Sequence, residues 1–177
     1  MSFIVGIDGP AGTGKGTITN LVAKDLKLNQ IDTGAMYRAF TLYMLDNKVE
    51  LDEIEKIKEL LEKVKIDLIQ EDDKETVFLN GKDVTKEIRS KSVTNFVSPV
   101  SSIIEVRIKM VELQRKMAEG KNVFMEGRDI TTYVFPNANV KIYLDANVEE
   151  RAKRRYKENI EKGMQTTFEE VLQDMKK

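Results

Sequence analysis

Residues Phe3-Ile4-Val5-Gly6-Ile7-Asp8-Gly9-Pro10-Ala11-Gly12-Thr13-Gly14-Lys15-Gly16-Thr17 decide how the chain folds. The first six are apolar and mostly β-branched, which fits a short strand buried on both faces, as in a parallel sheet. The next nine are rich in glycine and carry one lysine. Beyond them Ile18, Leu21, Val22 and Leu26 fall at helical spacing. Strand, glycine turn and helix open a βαβ unit and predict an α/β fold with a parallel sheet. A polyphosphate needs many hydrogen-bond donors and little steric bulk. Glycines let successive backbone N–H groups converge on such an anion, and the free N–H groups of the following helix add to them. Lys15 would stand beside the β- and γ-phosphates, so the segment Gly9, Pro10, Ala11, Gly12, Thr13, Gly14, Lys15, Gly16 and Thr17 is expected to bind ATP. The usual P-loop has Ser or Thr directly after the lysine. Here Gly16 takes that place and the hydroxyl comes at Thr17, which becomes the candidate contact to Mg²⁺.

Downstream, Leu28 to Asp32 predicts a second strand, and Gly34 to Leu45 a helix. Leu51, Ile54, Ile57, Leu60, Leu61 and Val64 place an amphipathic helix over 51–64. The period then changes to two, and Asn80-Gly81 follows an alternating run, which predicts a small antiparallel β-insert near 64–85, separate from the main sheet. Ile103, Val106, Met110, Leu113 and Met117 form one stripe of a long helix that stops near Gly120. Asn122 to Met125 and Val140 to Leu144 predict two more core strands. Helices are expected from Val148 to about Ile160 and from Thr167 onward.

Composition bounds the chemistry. The 177 residues include 29 basic and 30 acidic side chains, which makes no electrostatic case for nucleic acid or an anionic membrane. There is no cysteine and no histidine, so thiolate metal sites and an imidazole base are excluded. No run is long and apolar enough to span a bilayer, and the opening residues do not read as a signal peptide, so the expected location is the cytoplasm.

Two further polar clusters follow predicted strands. Asp32-Thr33-Gly34-Ala35-Met36-Tyr37-Arg38 puts Arg38 one turn into a helix, where a guanidinium can grip a phosphate at two points. A surface arginine behind a capped helix start reads equally well. Glu126-Gly127-Arg128-Asp129 follows an apolar strand, and a salt-bridged loop is its plainer alternative. Ligands of open parallel sheets bind beyond the carboxyl ends of the strands, so three such clusters should meet in one cleft.

Together with Asp-Val-Thr-Lys-Glu-Ile-Arg (83–89) and Val-Phe-Pro-Asn-Ala (134–138), these motifs resemble the bacterial cytidylate kinases, in order and spacing, over essentially the whole chain. The resemblance implies a three-layer P-loop fold with a central parallel sheet of about four strands, a monophosphate-binding β-insert and a helical lid. Residues 1–38 and 99–148 would form the core, 39–98 the monophosphate subdomain and 149–177 the lid region. It implies transfer of the γ-phosphoryl group of ATP, with Mg²⁺, to CMP or dCMP. By position, Thr33, Arg38 and Arg128 would hold the CMP phosphate, and Ser98, Arg107 and Asp129 would read the cytosine. Lys15, Arg38, Arg128 and a lid arginine, Arg154 among Arg151, Arg154 and Arg155, would be catalytic. Members are commonly monomeric, which sets that expectation here. The family pattern continues past Lys177 with an Arg-Asp pair, a further Asp and Arg, and one more core strand and helix. Two other readings therefore stand beside this one: a nucleotide-binding core without turnover, and a kinase for another small acceptor such as AMP, UMP or shikimate.

Overall fold

A computed structural model describes residues 2–71, 74–161 and 163–176. Lys177, where the family pattern is expected to break off, lies outside the described residues, as do 72–73 in the expected β-insert and 162 in the expected lid. Four strands, β1 (Ile4–Asp8), β2 (Asn29–Asp32), β6 (Val123–Gly127) and β7 (Val140–Tyr143), form an all-parallel sheet in the order β2-β6-β1-β7. Register aligns Asp8 with Gly127, and Asp32 with Glu126, so the polar clusters end at one level. Right-handed crossover rules allow this only with helices on both faces, and both faces are covered. Helix α1 (Lys15–Leu26) closes one face over Val5, Ile7, Ala23 and Phe124. On the other, α2 (Thr33–Asp46) and α5 (Ile104–Ala118) bury Met36, Phe40, Val106 and Met110 against Val123 and Met125. Alternation along β6 thus feeds both layers. Truncating Phe40, which is fully buried, to alanine would cost about 3–5 kcal/mol.

A second sheet, order β3-β4-β5, is antiparallel: β3 (Ile66–Glu71), β4 (Lys74–Leu79) and β5 (Lys82–Asp83). Asn80 and Gly81 turn between β4 and β5 at φ 49° and 82°, the positive values that select Asn-Gly. Helix α3 (Ile54–Lys63) precedes this sheet, starting three residues later than its apolar spacing suggests. A single 3₁₀ turn, Glu87–Arg89, follows it.

The stripe expected from Ile103 to Met117 is the visible part of a helix pair. Helix α4 (Lys91–Ser102) runs directly into α5, broken at Ile103, which is extended with ψ 126°. Helix α4 is absent from the sequence reading because Ser, Thr and an internal Pro99 hide it. It is nevertheless started by Ser90, whose hydroxyl accepts from the Val93 N–H. Helices α6 (Val148–Glu161) and α7 (Phe168–Lys176) pack on each other, with Tyr156 and Phe168 edge to face at 6.3 Å. Among the described residues no helix is long and apolar enough to cross a membrane.

Candidate active site

The glycine loop leaves β1 and returns as α1. Gly9, Gly12 and Gly14 all take positive φ, at 149°, 78° and 92°. At Gly9 space is the stronger constraint, because a Cβ there would lie 2.0 Å from the Leu144 carbonyl oxygen. The loop is therefore pressed against the end of β7 by backbone on backbone. Thr13 donates to the Pro10 carbonyl at 3.1 Å. Lys15 is buried, and its Nζ donates to the carbonyls of Gly9 (2.6 Å) and Pro10 (2.8 Å). Burial first, and then the positive charge of Arg128, pull its pKa down to about 8.

Asp8, with no role assigned by the motifs, is buried and accepts from the N–H groups of Ile130 and Thr131 (both 2.8 Å) and the Thr131 hydroxyl (2.6 Å). It fixes the turn that follows Arg128 and Asp129 against the strand that launches the loop. Its signal in sequence was only a carboxylate at the end of an otherwise apolar strand.

On the opposite side of the cleft, Asp32 caps α2 by accepting from the Ala35 N–H at 3.1 Å. The Thr33 hydroxyl donates to the Glu126 carbonyl at 2.7 Å, and a Cβ on Gly127 would lie 2.7 Å from that hydroxyl. Arg38 donates to the Ile88 carbonyl (3.3 Å) and the Thr94 hydroxyl (3.0 Å), which ties α2 to the 3₁₀ turn and α4. Arg107 of α5 pairs with Asp129 at 2.5 Å.

Lys15, Asp32, Thr33, Arg38, Arg107 and Asp129 line one cleft of about 500 Å³, and Arg89, Tyr37, Ser101, Arg155 and Glu158 join them. Of the expected site residues, Ala11 through Thr17, Thr33, Arg38, Ser98, Arg107, Arg128 and Asp129 all line it; Gly9, Pro10 and Arg154 do not. Arg154 instead donates to the Thr13 carbonyl at 3.0 Å, and Arg151 to the Ala11 carbonyl at 3.4 Å, so both brace the glycine loop from α6. Arg155 is the α6 arginine that faces the cleft. Arg89 ends the quoted 83–89 motif, but only the chain reversal after β5 brings it beside Arg38.

Four arginines, Arg38, Arg89, Arg128 and Arg155, crowd this cleft: burial first, and then the charges of Arg155 and Arg89, lower the pKa of Arg38, and burial lowers that of Arg128. Such crowded cations are suited to a polyanion that neutralises them. The Asp32 and Glu126 carboxylates act on Lys15, and Thr17 lines the same cleft. Burial, and then repulsion by Asp32, push Glu126 up to about 7. The missing side chain of Gly16 leaves both Glu126 oxygens 3.6 Å from where a Cβ would stand. Oxygen donors of this kind suit a hard divalent cation such as Mg²⁺.

A family model described as cytidylate kinase matches residues 5–177. The chain is 49% identical over 175 residues to the cytidylate kinase of Fusobacterium nucleatum, covering 99% of this chain and 78% of that protein. It is 51% identical over 173 residues to that of Caldanaerobacter subterraneus, covering 98% and 75%. With the Bacillus subtilis cytidylate kinase it shares 47% over 171 residues, covering 97% and 76%.

Proposed function

The chain belongs to the cytidylate kinase family, and from that premise we propose how its residues divide the transfer of the γ-phosphoryl group of ATP to CMP or dCMP, giving ADP and CDP or dCDP. The observation that carries the division is the single cleft in which the glycine loop, four arginines and the Arg107–Asp129 pair face one another.

The loop from Gly9 to Thr17 binds the ATP phosphates, with Lys15 leaving its two carbonyl partners for the β- and γ-oxygens. Arg38, Arg128 and Arg89 hold the CMP phosphate, and Thr33 keeps its hydrogen bond to β6 while orienting the loop around them. An oxygen of that phosphate attacks the γ-phosphorus in line, and the bond to the β–γ bridging oxygen breaks toward ADP. The attacking oxygen is already anionic, so no strong base is needed, in keeping with a chain without histidine. Lys15, Arg128 and Arg155 neutralise charge on the transferred group, and Arg154 acts by bracing the loop. Thr17, Asp32 and Glu126 would hold Mg²⁺, directly or through water. The ion supplies neutralisation of the ATP phosphates and keeps their oxygens in a fixed arrangement.

At the other end, Asp129 accepts from the cytosine amino group while Arg107 donates to its ring acceptors, with Ser98 alongside. Uracil presents a carbonyl where cytosine has the amino group, so the carboxylate disfavours it. Residues 39–98 act as the monophosphate subdomain and 149–177 as the lid, closing on a monomer in the cytoplasm. A direct test follows products by ³¹P NMR with Mg-ATP and CMP. Equimolar CDP and ADP are expected, and Lys15→Ala should slow their formation by about a hundredfold or more. ADP without CDP, or a Lys15→Ala variant with near-normal turnover, would sink the assignment.

A further inference from the structure

Helix α6 is tied to the glycine loop at two points, through Arg151 to the Ala11 carbonyl and Arg154 to the Thr13 carbonyl. One residue further round the helix, Arg155 turns to the cleft. Glu158, three residues on, shares that face and lines the cleft as well. Arg155 Nη1 donates to Glu158 Oε2 at 3.2 Å. Two other ion pairs of α6 are ordinary surface pairs. Lys153–Glu150 (2.7 Å) and Lys157–Glu161 (4.0 Å) lie outside the cleft, with lysine side chains 61% and 80% exposed, whereas the Arg155 side chain is 32% exposed. A carboxylate on the wall of a cleft that takes phosphates opposes every anion that enters. Glu158 therefore carries a cost that Glu150 and Glu161 do not. What offsets it is order in Arg155. A long arginine spreads over many rotamers, and holding it in one costs about 2 kcal/mol. The bond to Glu158 takes one of its five N–H donors and leaves the others for a phosphoryl group.

We propose that Glu158 is a positioning residue for phosphoryl transfer: its carboxylate holds the Arg155 guanidinium on the cleft wall, so that the arginine is already ordered when charge develops on the transferred group. This extends the assignment of Arg155 as a neutraliser of that charge and rests on it. Order present beforehand stabilises the transition state more than it strengthens substrate binding, so its loss shows in kcat rather than in KM. A surface ion pair without such a role leaves both constants alone.

The test is steady-state kinetics on the whole chain with Mg-ATP and CMP, comparing Glu158→Ala, Glu158→Gln and Glu150→Ala. Glu158→Ala is expected to lower kcat about two- to fivefold, with KM for ATP and for CMP little changed. Glu158→Gln keeps an acceptor oxygen for Arg155 and should recover most of that loss. Glu150→Ala breaks the matching pair outside the cleft and should leave kcat as it is. In an Arg155→Met background Glu158→Ala should have no further effect. An unchanged kcat in Glu158→Ala, or a Glu158→Gln variant no faster than Glu158→Ala, would overturn the inference. So would a lower KM for ATP with undiminished kcat, which would mean that Glu158 only repels the nucleotide. Arg155→Met alone separates the two levels. If it leaves kcat intact, the assignment of Arg155 falls and takes this inference with it. If it lowers kcat while Glu158→Ala does not, this inference alone fails.

Discussion

The two ends of the cleft are built from different material. The donor end is nine consecutive residues whose backbone does most of the work: three glycines at positive φ, a helix start, and carbonyls that park Lys15. The acceptor end gathers side chains from α2, the 3₁₀ turn, α4, α5 and the end of β6, spread from Asp32 to Asp129. A backbone-built site is intolerant of added atoms and indifferent to many side chains. A side-chain-built site is the reverse. It tolerates bulk nearby but depends on the shape and charge of each group.

The largest effect should come from adding one carbon to the donor end. Gly9→Ala would drive a Cβ into the Leu144 carbonyl and is expected to cost about 3 kcal/mol or more. Thermal melting and ATP affinity should fall together, and a variant that keeps both would break the contrast. At the acceptor end the matching change keeps the charge and alters the shape. Arg128→Lys loses the two-point grip and should lower kcat/KM for CMP by about ten- to a hundredfold, with KM for ATP little changed.

A pH profile sharpens the difference further. Lys15 titrates near 8 in the free protein, below its ordinary value. Its charge is present below that pH and is lost as pH rises through it, so kcat/KM for ATP should fall above about pH 8 by about tenfold per unit. Bound phosphates restore the charge, so kcat should hold to higher pH. An unchanged kcat/KM up to pH 9.5 would contradict the buried position of the lysine.

The smallest effect lies outside both ends. Glu75 on β4 has one buried carboxylate oxygen without a partner, and burial, then Asp32 and Glu126, push its pKa up to about 8. Between its ordinary pKa and that value the folded protein holds a proton that the unfolded chain has released. Stability therefore falls as pH rises through this window and levels off above it. Glu75→Gln, neutral throughout, should raise Tm by about a few degrees at pH 9 and hardly at pH 4. An equal shift at both pH values would show that the carboxyl is not held neutral.

The contrast also explains what could be read in advance. The donor end was legible because its chemistry is local: one strand, one loop and one helix start are adjacent in the chain. The sheet of four parallel strands and the separate antiparallel hairpin followed from period and turn residues such as Asn80-Gly81. Arg38, Arg128 and Asp129 were visible through their motifs. Ser98 and Arg107 were named only through the family resemblance. Thr94, on a helix disguised by Pro99, was not legible, and Arg89 depends on a chain reversal. Glu75 on β4 left no mark, because the carboxylates that act on it, Asp32 and Glu126, lie on β2 and β6, far away in sequence. Arg154 and Arg155 are adjacent, and only the packing of α6 decides which one braces the loop and which one faces the cleft.

The most direct test of one cleft with two differently built ends is a coupled ADP-release assay on the 177-residue chain, with Mg-ATP and CMP, dCMP, UMP or AMP offered in turn. Turnover with CMP and dCMP well above that with UMP and AMP is the predicted result. ATP binding with no turnover on CMP, or equal turnover on all four acceptors, would contradict it.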